Sequence, residues 1–544
     1  MKSTLHKIAT GILICTMGMT SCEVNRIPET DITDPSFWQN EADLKMGTNR
    51  LYTYLPGLPV TDDVWSDDAY GTNNNSISDG TRIVPGTDGF YENQYALIRW
   101  ANNIMEKSQL VVENGTAQEL VDVYIGEAYF FRAWGYFQLF QRYGGVPLIL
   151  KTLTEDAPEL LEPQASREEV IQTIYDDLDI AVSLLPDPSD QDASEYGRIT
   201  RTAALALKSR AALFEGTRSK FHGYGDPQSH LAIAKAAASE IIQSGEHDIF
   251  PNYFNLFQYE GNGPDNKENI LVRMYGQNTE NSISYHVTQR NLETGVANPT
   301  KYLADSYLMT DGLPIDMSPL YEQPANTVEV FNNRDPRMGD TFFKAGDEYI
   351  GTRPVYTIPP LNFQKTGFGN RRYANLNDWQ VSRSYIDRPI IRYAEVLLNY
   401  AEATYELDGA ISDEDLNLSV NKLRSRESVN MPALTNVFVA ANGLDMRQEI
   451  RRERRVELAL EGFRYWDIIR WKIAEDVLKR DILGNYYFDE FKEQEGNDPL
   501  LTDDNIILLQ KKENRYFDPA RDYLWPFATE QRALNPNLEQ NPEW

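Results

Sequence analysis

The chain has 544 residues, of which 41% are hydrophobic and 25% charged, a composition typical of globular proteins. This length exceeds what one small core requires, so we expect two or more domains, or one large helical array with insertions. The 82 acidic side chains outnumber the 52 basic ones and give a net charge of -30, which argues against nucleic acid or an anionic membrane surface as a partner. A neutral ligand meets no such electrostatic barrier.

The N-terminus has the pattern of a lipoprotein signal peptide. Lys2 and Lys7 form a basic start, and residues 8–20 are a mostly apolar run, too short to span a bilayer as a helix. Small residues stand directly before Cys22. We therefore predict that residues 1–21 are a signal peptide and that a lipidated Cys22 attaches the protein to a membrane through its acyl chains alone. The alternative is an ordinary signal cleavage nearby that leaves Cys22 unmodified.

A polar tether is predicted over residues 22–37, and hydrophobic periodicity predicts a helical N-terminal part over residues 38–246. Its strongest helix, 118–143, is apolar nearly all round and must therefore be packed on several sides. Ser166 and Glu169 have the spacing of a capping box at the start of another helix. The predicted helices span residues 92–110, 118–143, 166–185, 202–215 (ending at Gly216) and 228–244.

The periodicity fades over residues 247–388, where Pro, Gly, Asn and Tyr are frequent, and this stretch is predicted to be an irregular ligand-side region. Helical patterns return in the C-terminal part, residues 389–544, which closes with a Pro- and Asn-rich tail. The helices predicted there span residues 391–407, 413–427, 446–460 and 463–478. These patterns together indicate a mainly α fold: a scaffold of tetratricopeptide-like helix pairs with a large irregular, loop-rich insertion.

Six sequence motifs follow one another along the chain in the order found in the SusD/RagB family, which the sequence resembles over essentially its whole length. They are RAWGYFQLFQRY at 132–143 with GGVPL at 144–148, RITRTAAL at 198–205, NRDPR at 333–337, PIIRYAEVLLNYAE at 389–402, ERRVELALEGFR at 453–464 with Trp466-Asp467 and Arg470-Trp471, and NPNLEQNP at 535–542. Most of the motif charges are expected to be structural, among them Glu453, Arg454 and Glu457 at ion-pair spacing on one helix and the partly buried Arg132 and Asp467.

This resemblance implies a surface lipoprotein of the outer membrane that captures a nutrient for a partner, a SusC-like TonB-dependent transporter. It implies a ligand that is an oligosaccharide or polysaccharide, although some members of the family take peptides. Two departures from the family pattern are a Trp525-Pro-Phe-Ala528 run where Pro-Ile-Pro is common, and a single acidic residue, Glu23, after Cys22.

The candidate ligand site lies in two polar, non-periodic stretches. Trp65, Asp68 and Tyr70 occur in the segment DDVWSDDAYG, with Asn73 close behind, and Trp379 occurs in NLNDWQ. Sugar recognition needs aromatic faces for the apolar side of the ring and amide or carboxylate groups for the hydroxyls. We expect Trp65, Tyr70 and Trp379 to stack on the ligand, and Asp68 and Asn73 to bond its hydroxyls. The alternative is that these loop aromatics serve local packing.

Catalytic motifs are missing from the sequence. The histidines do not have metal-ligand spacing, and no G-x-S-x-G elbow, Walker loop, dinucleotide fingerprint or calcium-loop pattern occurs. Cys15 lies inside the predicted signal, so the mature chain has no thiol for a disulfide, a metal or a nucleophile. We expect a binding protein without cofactor rather than an enzyme, with a surface glycan hydrolase as the alternative.

Overall fold

The computed structural model describes residues 37–278, 282–284, 288–351, 355–494 and 498–544. The predicted signal peptide, Cys22 and the tether up to residue 36 lie outside the described residues. None of the described helices combines the length and apolar character needed to cross a bilayer. Helices make up 48% and strands 7% of the structure, which confirms the mainly α fold.

A series of long helices forms the N-terminal part. They are α1 (Glu41–Asn49), α2 (Gly89–Glu113), α3 (Gln118–Tyr143), α4 (Arg167–Leu184), α5 (Arg201–His222) and α6 (Pro227–Ser244), with strand β1 (Ala69–Tyr70) between α1 and α2. Consecutive helices pack against each other from α2 to α6. Helix α3 is buried on most sides, as its apolar sequence requires, and the capping box between Ser166 and Glu169 is present.

The prediction that a helix ends at Gly216 is wrong. Helix α5 continues to His222 and ends where Gly223 adopts the left-handed conformation, with φ of 77°. Gly216 serves close packing instead, because a Cβ at this position would lie 2.9 Å from the backbone nitrogen of Leu231 on α6. A glycine in a helical pattern therefore marks a helix crossing here, and not a helix end.

The region predicted to be irregular contains only short elements. In chain order they are β2 (Asn269–Arg273), β3 (Ile283–Ser284), α7 (Gln289–Glu293), β4 (Asn298–Pro299), α8 (Lys301–Ser306), α9 (Pro336–Thr341), α10 (Leu376–Val381), β5 (Arg383–Ser384) and β6 (Arg388–Arg392). The strands pair antiparallel in twos: β1 with β4, β2 with β6, and β3 with β5. The β1–β4 pair ties the loop before α2 to the irregular region.

The C-terminal part returns to helices and adds one strand pair. Its elements are α11 (Tyr393–Asp408), α12 (Asp413–Leu418), α13 (Val420–Arg424), α14 (Asn436–Ala441), α15 (Met446–Glu457), α16 (Arg464–Arg470), α17 (Ala474–Val477), the antiparallel pair β7 (Ile482–Tyr486) and β8 (Ile506–Gln510), and α18 (Thr529–Leu534).

All four helices predicted for this part differ from the structure in a boundary, and α15 ends at Glu457 instead of residue 460. Ile391 belongs to β6, because its β-branched side chain fits the strand pair with β2, so the helix begins at Tyr393. The helix predicted over 413–427 is broken at Ser419, and the one predicted over 463–478 is broken near Lys472, which has a positive φ of 54°. Tertiary contacts override local periodicity at these points.

Glu453 and Glu457 of the C-terminal motif pair across elements and not along their own helix. Glu453 accepts from Arg337 and Arg424, and Glu457 accepts from Arg337, Arg392 and Arg426, all at 2.7–2.8 Å. All of these side chains are buried. Together they form an ion network that fixes the irregular region to α15.

The two other motif charges are also buried ion-pair members. Arg132 donates to Asp177 on the neighbouring helix at 2.6 Å. Asp467 accepts from Arg454 at 3.0 Å and from Arg470 at 2.9 Å. The motif charges of the chain therefore act as scaffold.

Candidate functional site

The loop predicted to carry ligand contacts folds as a short 3-10 helix, Asp62–Trp65, followed by β1. Trp65 is half-buried, and its ring makes edge contacts with Tyr465 (5.7 Å between ring centroids), Trp466 (6.5 Å) and Trp525 (5.4 Å). The indole is therefore directed toward the C-terminal part, away from the irregular region. This geometry gives Trp65 a packing role.

Asp68 lies in an ion pair and not at the surface. It is 1% exposed, and its carboxylate accepts from the Arg455 Nε at 2.7 Å. The neighbouring Asp67 accepts from the Arg464 Nε at 2.8 Å. Burial raises the pKa of Asp68, whereas Arg455 and Arg464 overcome the same burial at Asp67 and lower its pKa. The two aspartates thus attach the loop to the C-terminal helices, and the Asp68 oxygens are directed to arginine.

Tyr70 and Asn73 lie further along the same loop, where it pairs with β4. Tyr70 is half-buried, its main chain pairs with Asn298 of β4, and its hydroxyl donates to Asn74 at 2.7 Å. Asn73 is exposed. Lys365 donates to the carbonyl of the preceding Thr72, which places this loop next to residues 355–365. Tyr70 and Asn73 therefore border the irregular region.

A cleft of about 560 Å³ opens in that region. We call it the irregular-region cleft. It is lined by Glu293, Tyr349, Val355, Tyr356, Thr357, Ile358, Pro360, Asn362 and Phe363. Phe363 is 38% exposed, and its carbonyl accepts from the Asn298 side chain at 3.2 Å, so the cleft adjoins the β1–β4 pair that carries Tyr70.

Trp379 lies on α10 and packs against the aromatic cluster that contributes residues to this cleft. It is half-buried against an aromatic cluster that includes Phe343, Tyr349 and Tyr356. Phe343 and Tyr356 stack at 4.9 Å between ring centroids. Since Tyr349 and Tyr356 line the cleft, Trp379 supports its floor.

The structure thus divides the five sequence-predicted residues into two groups. Tyr70 and Asn73 lie in the loop that adjoins the irregular region and Trp379 packs against the aromatic cluster of the cleft, whereas Trp65 and Asp68 contact the C-terminal part; none of the five lines the cleft. The sequence reasoning missed the lining residues, chiefly Phe363 and Asn362, although the density of aromatic residues between Phe342 and Phe363 is a signal that could have found them.

The cleft combines aromatic faces, an exposed amide at Asn362 and a carboxylate at Glu293, which pairs with Arg290. These are the groups that recognise a sugar ring and its hydroxyls. No group of three or more His, Cys, Asp or Glu side chains is placed to hold a metal ion within the described residues. A helical-repeat scaffold that carries a loop-built aromatic cleft is the architecture of a protein with a candidate ligand site on its irregular region.

The chain belongs to the SusD family. The model of this family matches residues 264–544, and a second model, described as starch-binding and associating with the outer membrane, matches residues 59–213. All six motifs found in the sequence lie within these two matched segments. The SusD/RagB assignment made from the motifs is confirmed.

Relatives of this chain include proteins from several Bacteroidota. It is 24% identical to SusD-like protein P38 of Formosa agariphila over 99% of both chains, and 26% identical to a SusD-like protein of Bacteroides ovatus over 87% of this chain and 83% of that one. Among solved structures, a SusD-like carbohydrate binding protein of Bacteroides fragilis superposes with a TM-score of 0.76 at 28% identity, covering 93% of this chain and all (100%) of that one.

Proposed function

We propose that the protein binds an oligosaccharide or polysaccharide in the irregular-region cleft and delivers it to a SusC-like TonB-dependent transporter at the outer membrane. The observation that carries the proposal is the aromatic cleft itself, in which Phe363 and Asn362 are exposed and against whose aromatic cluster Trp379 packs. Membership of the SusD family and the similarity to the SusD-like carbohydrate binding protein of B. fragilis support a sugar as the ligand. The protein binds this ligand without turning it over.

The stacking residues have defined parts in this proposal. Phe363 offers an exposed face and Asn362 an amide for hydroxyl groups in the cleft, and Tyr70 and Asn73 would extend the site from the adjoining N-terminal loop. Trp65 and Asp68 contribute by fixing the loop to the C-terminal part. A stacked aromatic contributes about 0.5–1.5 kcal/mol beyond its buried area, and truncation of a central anchor costs about 2 kcal/mol or more.

Calorimetry on the mature protein with a panel of neutral oligosaccharides, beginning with maltoheptaose, tests this site. We expect at least one to bind saturably without turnover, and Phe363→Ala and Trp379→Ala to weaken that binding at least about tenfold. Tyr516→Ala is the matched control, because Tyr516 is 57% exposed and does not line the cleft. Unchanged affinity in both cleft variants would remove the site, and slow release of reducing ends would favour a hydrolase.

The transporter partnership is tested separately. Two observations motivate a complex in which this protein covers the outer mouth of a barrel. The chain belongs to the SusD family, and none of its described helices could cross a membrane. Affinity purification after mild detergent extraction is expected to recover a large TonB-dependent barrel protein with it. Recovery of the protein alone, under conditions that preserve the complexes of related proteins, would contradict the partnership.

A further inference from the structure

One side of the irregular-region cleft is formed by a segment without regular secondary structure. Residues 358–363, which we call the rim segment, contain four of the nine lining residues: Ile358, Pro360, Asn362 and Phe363. All six residues are described, and none of them belongs to a helix or a strand. Because no ladder of backbone hydrogen bonds fixes the rim segment, its conformation depends on individual contacts. These contacts decide whether the cleft is formed before a ligand arrives.

Gln494 holds the rim segment through both ends of its side-chain amide. Its Oε1 accepts from the backbone N–H of Leu361 at 2.8 Å, and its Nε2 donates to the Pro359 carbonyl at 2.7 Å. Both distances are typical of well-formed hydrogen bonds. Gln494 lies 133 residues beyond Leu361 in the chain and does not line the cleft. A single amide from the C-terminal part therefore restrains three consecutive residues of the rim segment.

Gln494 is itself attached to the hydrophobic core. Its backbone N–H donates to the Phe491 carbonyl at 3.1 Å. Phe491 is wholly buried, stacks on Tyr487 with 6.0 Å between the ring centroids, and belongs to the same hydrophobic cluster as Leu361. Buried, closely packed side chains of this kind have little freedom to move. The amide of Gln494 therefore connects the rim segment to a rigid part of the molecule.

The other end of the rim segment is held by bonds to the Phe363 main chain. The Phe363 N–H donates to the Pro360 carbonyl at 2.9 Å, and the Phe363 carbonyl accepts from the Asn298 side chain at 3.2 Å. These bonds fix the residue that carries the exposed ring, but they do not reach the first half of the segment. Gln494 supplies the side-chain hydrogen bonds there, so the rim segment is attached along its whole length.

We propose that Gln494 is a positioning residue: it holds the rim segment in the conformation that presents Phe363 and Asn362, so that the irregular-region cleft is formed before the saccharide arrives. This inference rests on the proposed function, because it concerns the same cleft. The apparent affinity of a site falls in proportion to the fraction of molecules in which it is formed, and fixing a loop in its bound conformation removes that loss. Gln494 thus raises affinity without contacting the saccharide.

Hydrogen exchange of the mature protein without any sugar tests the restraint directly. Gln494→Met removes the amide and keeps a side chain of similar length. We expect peptides covering residues 355–364 to exchange at least about fivefold faster in this variant than in wild type, because two hydrogen bonds of the rim segment are lost. Gln494→Asn, one methylene too short to reach both groups, gives the same test if the methionine variant folds poorly. Unchanged exchange would overturn the proposal.

Binding kinetics separate positioning from direct contact. With maltoheptaose, or the member of the neutral panel that binds, Gln494→Met is expected to lower the association rate constant at least about fivefold and to leave the dissociation rate constant unchanged, since fewer molecules hold a formed cleft. Phe363→Ala, which removes a direct contact, should instead raise the dissociation rate constant. An unchanged association rate constant in Gln494→Met would overturn the proposal. If no member of the panel binds, the proposed function fails, while the exchange result stands separately.

Gln540→Met is the matched control. The half-buried Gln540 makes the same pair of amide bonds to main chain elsewhere: its Oε1 accepts from the Phe527 N–H at 2.8 Å, and its Nε2 donates to the Phe527 carbonyl at 2.9 Å. We expect Gln540→Met to keep wild-type exchange over residues 355–364 and wild-type association with the sugar. If it accelerates exchange there as much as Gln494→Met, the effect is a general loss of stability and the proposal fails.

Discussion

The carboxyl group of Asp63 is almost completely buried. It is 2% exposed; its Oδ2 accepts from the Gly462 amide at 2.8 Å, and its Oδ1 has no partner within the described residues. Burial, reinforced by the nearby charge of Asp68, raises the pKa of Asp63 to about 8. A buried acid of this kind makes the stability of the protein depend on pH.

We predict that Asp63→Asn removes part of that dependence. The pKa of a free aspartate is about 4, so between that value and about 8 the folded protein holds a proton that the unfolded chain has lost. The free energy of unfolding therefore falls as the pH rises through this window, and the asparagine variant should show a smaller decline. Thermal unfolding at pH 5 and pH 8 measures the difference. The exposed Asp190→Asn serves as control, and equal declines in wild type and Asp63→Asn would contradict the prediction.

At the scale of elements, the crossing of α5 and α6 depends on a residue without a side chain. Glycine in a helix interior costs about 1 kcal/mol relative to alanine, so helix propensity alone favours a substitution at Gly216. A Cβ there would lie 2.9 Å from both the Leu231 backbone nitrogen and its Cγ. The backbone nitrogen cannot move without separating the two helices.

Gly216→Ala is accordingly expected to destabilise the protein, by about 1–3 kcal/mol, because the overlap outweighs the gain in propensity. Chemical denaturation with circular dichroism detection measures this change. Gly89→Ala is a suitable comparison, since Gly89 begins α2 and no atom lies within 4 Å of its added Cβ. A Gly216→Ala protein as stable as wild type would show that the two helices separate at little cost.

At the scale of the whole molecule, the buried ion network holds the irregular region on the C-terminal helices. Glu457 is wholly buried and accepts from Arg392 and Arg426 at 2.7 Å and from Arg337 at 2.8 Å. Although burial alone would raise its pKa, these arginines hold the pKa of Glu457 far below its usual range. Its loss would leave three buried cations undercompensated.

Glu457→Gln is expected to cost about 3–5 kcal/mol, the range found when one partner of a buried ion pair is removed. Denaturant unfolding of the purified protein measures this cost. Asp489→Asn removes a carboxylate from a fully exposed pair with Lys492 and is expected to leave the unfolding midpoint unchanged. Similar unfolding midpoints for Glu457→Gln and wild type would show that the network contributes little to the attachment of the irregular region.

Anchoring also belongs to the whole molecule. We expect Cys22→Ala to release the protein from the membrane fraction, because the short apolar run before Cys22 has no capacity to span a bilayer and the lipid would be lost. Fractionation of cells expressing each form measures this. Cys15→Ala, a change inside the predicted signal, should remain with the membrane. Retention of Cys22→Ala in washed outer membranes would contradict a lipid anchor.

Much of the architecture follows from local pattern. The boundaries of α3, the capping box at Ser166, the helical nature of both ends and the irregular middle were all predictable, because burial of an apolar stripe imposes its period on the sequence. The six motifs, in the order typical of the family, were also sufficient to predict that the chain belongs to the SusD family. The helix ends near Gly216 and Ser419 were not predictable, because contacts with distant residues decide them.

The candidate site was predictable only as segments of the chain. Composition predicted ligand contacts in the loop around residues 62–75 and in the irregular region, and the aromatic cleft lies in the second of these. Which side chains face the cleft was decided by the tertiary structure alone: Asp68 is directed inward by Arg455, 387 residues further along the chain, while Phe363 and Asn362 line the cleft. A local sequence carries its own periodicity and polarity, but the partner that buries a side chain is set by the packing of the whole chain.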